Sequence, residues 1–558
     1  MGSSQSPARR RRAAAVALAV ALATGSIDSR PARSQAADPG ADPIEVEPVG
    51  AADDLDGGLP EIEISEDEAA GDATIPSAPP LPGDDDARDG WLVMRLGTLA
   101  ASRPALRPAR VGVAVWDITT GRMLYGKDVD GAYNLASNTK VLTSSVALAR
   151  LGPDFRWRTS IYVDKWNPRT GTVEGDVYLR GHGDPTLRSD DLRALVHELA
   201  IAGVRAITGQ IVVDTSYFDD VTEPPHYDEQ PKERAGFRAP IGALSVDYDA
   251  ITVVVEPDPA GGAARVRLEP FVGDYVVLRR AEVSTTSIGR SRIYVGSTVK
   301  KDHLELSVTG QLRSDGGADW TRRRIDDPVR FAGEVVRDAL STWDIRLGKK
   351  KIKTGVVPAK ARLMASHDSA PLGEVVRDMN KTSNNFIAET LLKTIGAEAV
   401  AAATPPDQVP RPATWADGQA EVRRWLAEEA GLDPATFRVD NGSGLFGSTA
   451  VSPAQMVRAL DAAWRDFRVG PDLAGSLAVM GVDGTLRSRL TQGEARGRVR
   501  AKTGTLAQVS TLSGYVAVDS RRPLAFSVLI NDIPSGGRGH ARALQNDIVA
   551  ACVEYLGR

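Results

Sequence analysis

Two serines in the chain stand three residues ahead of a lysine. Ser137-Asn138-Thr139-Lys140 lies in the stretch LASNTKVLTSSVALARLG, and Ser297-Thr298-Val299-Lys300 in RIYVGSTVKKDHLELSV. A serine hydroxyl is a weak nucleophile until a neighbouring base takes its proton, and a neutral lysine amine is such a base. A lone S-x-x-K is nonetheless as easily coincidence as chemistry. The element beneath each pair separates them. Val141, Leu142, Val146, Leu148 and Leu151 continue the first stretch at a helical period until Gly152-Pro153 stops it. If Ser137 opens that helix, Lys140 shares its face one turn on, and the helix N-terminus favours the negative charge that develops there. The second stretch alternates through Ile293, Val295, Leu304, Leu306 and Val308. In a strand, residues three apart point to opposite faces, so Lys300 is badly placed to serve Ser297.

Two more motifs favour Ser137. MNKTSNNFIAE carries Ser383-Asn384-Asn385, and RAKTGTLAQVSTLSGYV carries Lys502-Thr503-Gly504 ahead of an apolar strand. Lys-Thr-Gly also occurs at Lys353-Thr354-Gly355, but only the later copy completes the order S-x-x-K, S-x-N, K-T-G. That ordered trio is similar to the signature of penicillin-binding proteins and serine β-lactamases. The segments LASNTKVLTSSVALARLGPDFRWRT, GDVYLRGHGDPTL, LSVDYDAITV, MNKTSNNFIAETLL and AKTGTLAQVSTLSGYV narrow it. From about Trp91 to the C-terminus the chain resembles the D-alanyl-D-alanine carboxypeptidase/endopeptidase family, the PBP4-type penicillin-binding proteins of peptidase family S13. That family carries a large insertion between its first two motifs, and here 246 positions separate Ser137 from Ser383. Serine β-lactamases have a much shorter gap. DNGSGLFGSTAVSP resembles the family's Asp-Gly-Ser-Gly-Leu loop but departs from it after Leu445.

The resemblance implies a serine-type D-Ala-D-Ala carboxypeptidase, a DD-endopeptidase, or both, working through an acyl-enzyme and inhibited by penicillins. It needs no metal and no cofactor. Ser137 is the implied nucleophile. Lys140 is its base, which must be neutral to take the proton; burial or nearby positive charge, such as that of Lys502, favours that form. Ser383 is implied to relay a proton to the leaving amine, and Asn385 to hold Lys140 and the substrate amide. Thr503 and Lys502 would bind the terminal carboxylate, Gly504 lets substrate approach the backbone, and the N–H groups of Ser137 and Thr505 would form the oxyanion hole. The expected partners are peptidoglycan peptides ending in D-Ala-D-Ala and β-lactam antibiotics. A β-lactamase-like hydrolase shares the acylation step, and a peptidoglycan-binding homologue without turnover is the non-enzymatic alternative. A Ser-His-Asp hydrolase is disfavoured, because no G-x-S-x-G occurs and no histidine has a comparable setting.

The elements that must position these residues follow from pattern. The 558 residues are too many for one ordinary domain. A hydrophobic fraction of 42%, a charged fraction of 25% and a net charge of −5 fit a soluble globular protein and give no reason to expect nucleic acid. Lys349-Lys350-Lys351 reads as a solvated turn or edge strand. His182 and Asp184 are too sparse for a metal site, and GHGDPT reads as a turn. Residues 1–36 read as a signal peptide: Arg9 to Arg12 are basic, Ala13 to Ala23 are apolar, and small residues at Ala21 and Ala23, or Ser34 and Ala36, suit cleavage. The apolar run is shorter than the roughly 20 residues a membrane span needs. An exported, periplasmic protein without a transmembrane anchor in its mature form is expected. Residues 37–88 are acidic and poor in aromatics, and read as a disordered linker.

VGVAVWDITTGRMLYGKD reads as a hairpin. Strands dominate residues 162–361, with helices near Leu192 to Ala202 and Val329 to Leu340. Helices return after Leu363, then LSGYVAV, LAFSVLI and a last helix on which Leu544, Ile548, Cys552 and Tyr555 share a face. Cys552 is the only cysteine and reads as core. The expected fold is α/β: a serine β-lactamase/transpeptidase-like domain (antiparallel sheet with flanking helices) in two parts, 89–161 and 362–558, interrupted by a large β-rich insertion, 162–361.

Overall fold

The computed structural model describes residues 77–558, apart from 271–274, 448, 520–521 and 558. The expected signal peptide and residues 37–76 of the expected linker lie outside the described residues. Residues 77–88 are ordered, contrary to the expectation for that linker. Helix α1 (Asp85–Ala101) begins among them, capped by Asp84, whose carboxylate accepts the Ala87 N–H at 3.0 Å. The Trp91 indole donates to the Pro79 carbonyl at 2.9 Å, and Ala78 and Leu81 pack on the cluster holding Trp91, Leu92 and Leu96. Two isolated apolar residues make these contacts, so no periodicity announced them.

The hairpin β1 (Arg110–Asp117) and β2 (Arg122–Lys127) follows. A single 3₁₀ turn, Ala136–Asn138, then leads into α2 (Thr139–Leu151), which ends at Gly152 with φ 79°. Beyond α2 the chain leaves for the insertion. Strands Arg158–Asn167, Thr172–Arg180, Ala206–Ile207, Ile211–Asp214, Arg346–Leu347, Ile352–Thr354 and Arg362–Asp368 form a seven-stranded sheet, beside two three-stranded ones. Helices Ser189–Ile201 and Pro328–Thr342 fall where the periodicity put them. One cluster of buried side chains runs from Ile161 to Ala365 within this segment.

The chain returns as α3 (Leu372–Thr382) and α4 (Asn385–Ala403). Every residue of α4 from Asn385 to Ala397 is buried, as expected of a helix enclosed on all sides. β3 (Val499–Leu506), β4 (Val509–Val516), β5 (Leu524–Asn531) and α5 (Arg538–Leu556) complete the domain. The central sheet runs Ala478–Val479, β3, β4, β5, β1, β2, with every neighbouring pair antiparallel. Strands from the two ends of the folded chain are thus zipped together, Val113 opposite Val528. Alternation divides their side chains. Val113, Val115, Phe526, Val528 and Ile530 face α1 and α5. Ala114, Ala525 and Leu529 join the core of α2 and α4. Cys552 is buried on α5, and burial pushes its thiol up to about 12. Among the described residues no helix is long and apolar enough to cross a membrane.

A buried ion pair pins the insertion to α4. Lys393 Nζ donates to Asp219 Oδ1 at 2.5 Å and to the Val221 carbonyl at 2.9 Å, between the rings of Phe218 and Trp415. Burial pulls the Lys393 amine below its usual range, and Asp219 opposes that pull. Asp219→Ala should destabilise the protein by about 3 kcal/mol, the low end for breaking a buried pair, because Asp219 is partly solvated. Urea denaturation checks this.

Candidate active site

Ser137 is held between the sheet and α2. The Asn531 side chain brackets Asn134, accepting its N–H at 2.7 Å and donating to its carbonyl at 3.1 Å. Asn134 Oδ1 accepts the Ala136 N–H at 2.8 Å, supporting a left-handed alanine at φ 46°. Such a backbone costs on the order of 1–3 kcal/mol in a non-glycine residue. Thr511 of β4 donates to the Leu135 carbonyl at 2.8 Å and accepts from Asn138 Nδ2 at 2.6 Å.

Lys140 stands one turn on, fully buried, while Ser137 is half-exposed. Its Nζ lies 3.0 Å from Ser137 Oγ, 2.6 Å from Asn385 Oδ1 and 3.1 Å from the Ser443 carbonyl. A neutral amine has two N–H groups and one lone pair. Two of these partners are carbonyl oxygens that can only accept, so in its neutral form the amine would give them its N–H groups and turn its lone pair to the serine hydroxyl.

A second amine–hydroxyl pair faces the first. Lys502 Nζ, also fully buried, donates to Ser383 Oγ at 2.8 Å and to the Thr503 carbonyl at 3.0 Å. Ser383 ends α3 in a left-handed conformation, φ 65°, and Asn384 caps α4 by accepting the Ile387 N–H at 2.9 Å. The middle residue of Ser-Asn-Asn therefore does the capping, and its neighbours face the two lysines. Thr503 Oγ1 donates to Thr485 Oγ1 at 2.8 Å.

β3 passes close to Ser137 because residue 504 is glycine. A Cβ there would collide with Thr511 Oγ1 and come within 2.7 Å of the Leu135 carbonyl and 3.0 Å of the Ser137 nitrogen. Ala478–Val479 pairs β3 only at Arg500 and Ala501, so among the described residues no strand lies beside the outer edge past Lys502. The structure thus brings together Ser137, Lys140, Ser383, Asn385, Lys502, Thr503 and Gly504, with Thr505 next along β3.

The competing motifs lie elsewhere. Ser297 sits in strand Arg292–Val299, and Lys300 Nζ is 3.5 Å from Glu305. Lys353 and Thr354 belong to strand Ile352–Thr354, and Lys353 pairs with Asp176 at 3.5 Å. Four residues of the site were not singled out from sequence: Glu389, Ser443, Thr485 and Thr511. Glu389 follows Asn385 by four positions on one helix, a spacing that would have placed it on the same face.

The sheet, its flanking helices and the Ser-Lys pair at its edge define the serine β-lactamase/transpeptidase-like class. Within that class, the chain belongs to the D-Ala-D-Ala carboxypeptidase 3 (S13) family, whose profile matches residues 92–553. It is 34% identical over 474 residues to a D-alanyl-D-alanine carboxypeptidase of Actinomadura sp. (strain R39), covering 81% of this chain and 83% of that protein. It is 24% identical over 404 residues to the D-alanyl-D-alanine carboxypeptidase DacB of Haemophilus influenzae, covering 72% of this chain and 81% of that one. The crystal structure of penicillin binding protein 4 from Haemophilus influenzae superposes with a TM-score of 0.67 at 21% identity, covering 81% of this chain and 99% of that one, and shares the fold.

Gly504→Ala should force β3 away from the Ser137 turn. Labelling by a fluorescent penicillin should fall by about 10²-fold, the scale for displacing reacting groups by an ångström. An unchanged circular dichroism spectrum would show that the sheet persists.

Proposed function

We propose that the protein is a serine-type D-Ala-D-Ala carboxypeptidase that cleaves peptidoglycan peptides through an acyl-enzyme on Ser137. The observation that carries this reading is Lys140 Nζ at 3.0 Å from Ser137 Oγ with carbonyl acceptors on two other sides. Lys140 takes the hydroxyl proton as Ser137 Oγ attacks the carbonyl carbon of the penultimate D-alanine. The N–H groups of Ser137 and Thr505 hold the oxyanion, a kind of contact typically worth ~3–4 kcal/mol per donor. Ser383, backed by Lys502, passes a proton to the departing amine of the last D-alanine. Water then attacks the ester and frees Ser137. A β-lactam acylates the same hydroxyl. The open edge of β3 suits an extended peptide, which can add to a sheet edge through main-chain hydrogen bonds.

Internal DD-endopeptidase cleavage uses the same chemistry and differs in what must fit beyond the scissile bond. Incubation with purified muropeptides, with products identified by mass, separates the two reactions. A penicillin label that persists for hours separates this enzyme from a β-lactamase, which sheds it. The part read as an insertion, residues 162–361, shapes access to the site: Tyr227 and Phe237 pack against Leu445 and Phe446, with Leu506 beside them. Export to the periplasm completes the reading, supported by the basic and apolar run from Arg9 to Ala23.

Intact-mass analysis after penicillin treatment should place the adduct on the peptide containing Ser137, and Ser137→Ala should lower turnover on the order of 10⁶-fold. An adduct on Ser297 would refute the assignment. Thr503→Val should weaken reaction with a peptide ending in D-Ala-D-Ala by about 1.5–3 kcal/mol, the scale of a hydrogen bond to a charged group. The same peptide amidated at its C-terminus should be affected far less, and Thr354→Val should alter neither reaction. Kinetics on both peptides test carboxylate recognition.

A further inference from the structure

The loop that presents a carbonyl to Lys140 is held by one buried carboxylate. Glu389 Oε2 accepts the Gly442 N–H at 2.9 Å and Oε1 accepts the Ser443 N–H at 2.9 Å. Glu389 is fully buried and lies on α4 one turn beyond Asn385, the other carbonyl acceptor for Lys140. Beyond Ser443 the same loop packs Leu445 and Phe446 against the buried Tyr227 ring. Gly444 follows at φ 77°, and a Cβ there would collide with the Ala136 carbonyl and approach Thr139 Oγ1 at 2.6 Å. The loop is therefore pressed against the turn that bears Ser137. The Ser443 carbonyl belongs to the next peptide plane, which the Gly444 N–H ties to Asn441 Oδ1 at 2.8 Å. With Glu389 holding the plane before Ser443 and Asn441 the plane after it, the direction of that carbonyl is set.

Resting on the acyl-enzyme reading above, we propose that Glu389 is a positioning residue for acylation. By accepting the N–H groups of Gly442 and Ser443, it sets the Ser443 carbonyl against Lys140 Nζ and so keeps the amine lone pair on Ser137 Oγ. An ionised carboxylate only accepts, and has an oxygen for each of two adjacent N–H groups. Glutamine has the same size but one acceptor and one donor, so its amide NH₂ would face a backbone N–H. Burial pushes the Glu389 carboxyl above its usual range, while bonds from Ser443 and Gly442 and the charge of Lys140 pull it back.

Two pairs of equal-sized side chains test this: the parent against Glu389→Gln, and Glu389→Asp against Glu389→Asn. The readouts are the limiting rate and half-saturating concentration of acylation by a fluorescent penicillin, taken on the folded fraction. Glu389→Gln should lower the limiting rate by about 10²-fold with half-saturation within about twofold, because Glu389 acts through Lys140 and not on the ligand. Glu389→Asp should outpace both Glu389→Asn and Glu389→Gln despite its lost methylene. A space-filling role gives the reverse order, with glutamine near the parent and aspartate no better than asparagine, and that result overturns the proposal. If glutamine does not fold, the aspartate–asparagine pair decides alone. A parent chain that takes no label at Ser137 overturns the acyl-enzyme reading and this inference with it; a labelled parent matched by Glu389→Gln overturns this inference only.

Discussion

Everything at the site turns on an amine that has been taken out of water. An ammonium in a protein interior is costly unless it is paired or hydrogen-bonded, and Lys140 is buried completely. Three segments supply its recorded partners: Ser137 just ahead of its own helix, Asn385 at the start of α4, and the carbonyl of Ser443 in a loop. These segments lie far apart in sequence, and only the tertiary fold makes them neighbours. α4 is enclosed because it must deliver Asn385 and Glu389 to the back of that amine while Lys393, four residues further on, anchors the insertion. The sheet serves the same end by carrying Lys502 and Thr511 to the front. Lys502 repeats the arrangement on the other side, a covered amine beneath the half-exposed hydroxyl of Ser383.

The sheet also explains how the chain tolerates so long an excursion. β1 and β2 precede the insertion and β3 to β5 follow it, yet β1 pairs with β5 along its whole length. Closing the long loop between them carries an entropic cost that grows only slowly with length. The segment between them also has a cluster of buried side chains of its own, from Ile161 to Ala365. Its return contacts include the Asp219–Lys393 pair, the packing of Tyr227 and Phe237 on Leu445 and Phe446, and Phe218, Ala239, Ile241, Ala243 and Tyr248, which join the core of α2 and α4.

Much of this could be read from residue order because the decisive signals are local. Helix against strand separates Ser137 from Ser297, and Ser137 stands in the turn ahead of α2 while Ser297 lies within a strand. The hairpin, the two helices of the insertion and the buried face of α5 likewise follow from periodicity. What escaped is tertiary. Glu389, Thr485 and Thr511 are common residue types whose roles depend on partners 53, 18 and 373 positions away or more. Ser443 contributes through its backbone carbonyl, which no side chain announces. The loop that carries it departs from the family pattern after Leu445, and there Phe446 packs against Tyr227 and carries the Arg238 guanidinium over its ring. Residues 77–88 read as linker because their composition resembles that of the stretch before them, yet Ala78 and Leu81 dock them on the cluster around Trp91.

The single cysteine gives the protein an internal clock. Cys552 lies on the face of α5 that covers the sheet, and a thiol held so far towards its protonated form, without exposure, is inert to alkylating reagents. It becomes reactive when the last helix lifts from β4 and β5, of which β4 pairs with the strand that carries Lys502-Thr503-Gly504. The pace of thiol modification in the unaltered chain therefore times the undocking of that helix, with no engineered probe and no second cysteine to confuse the signal.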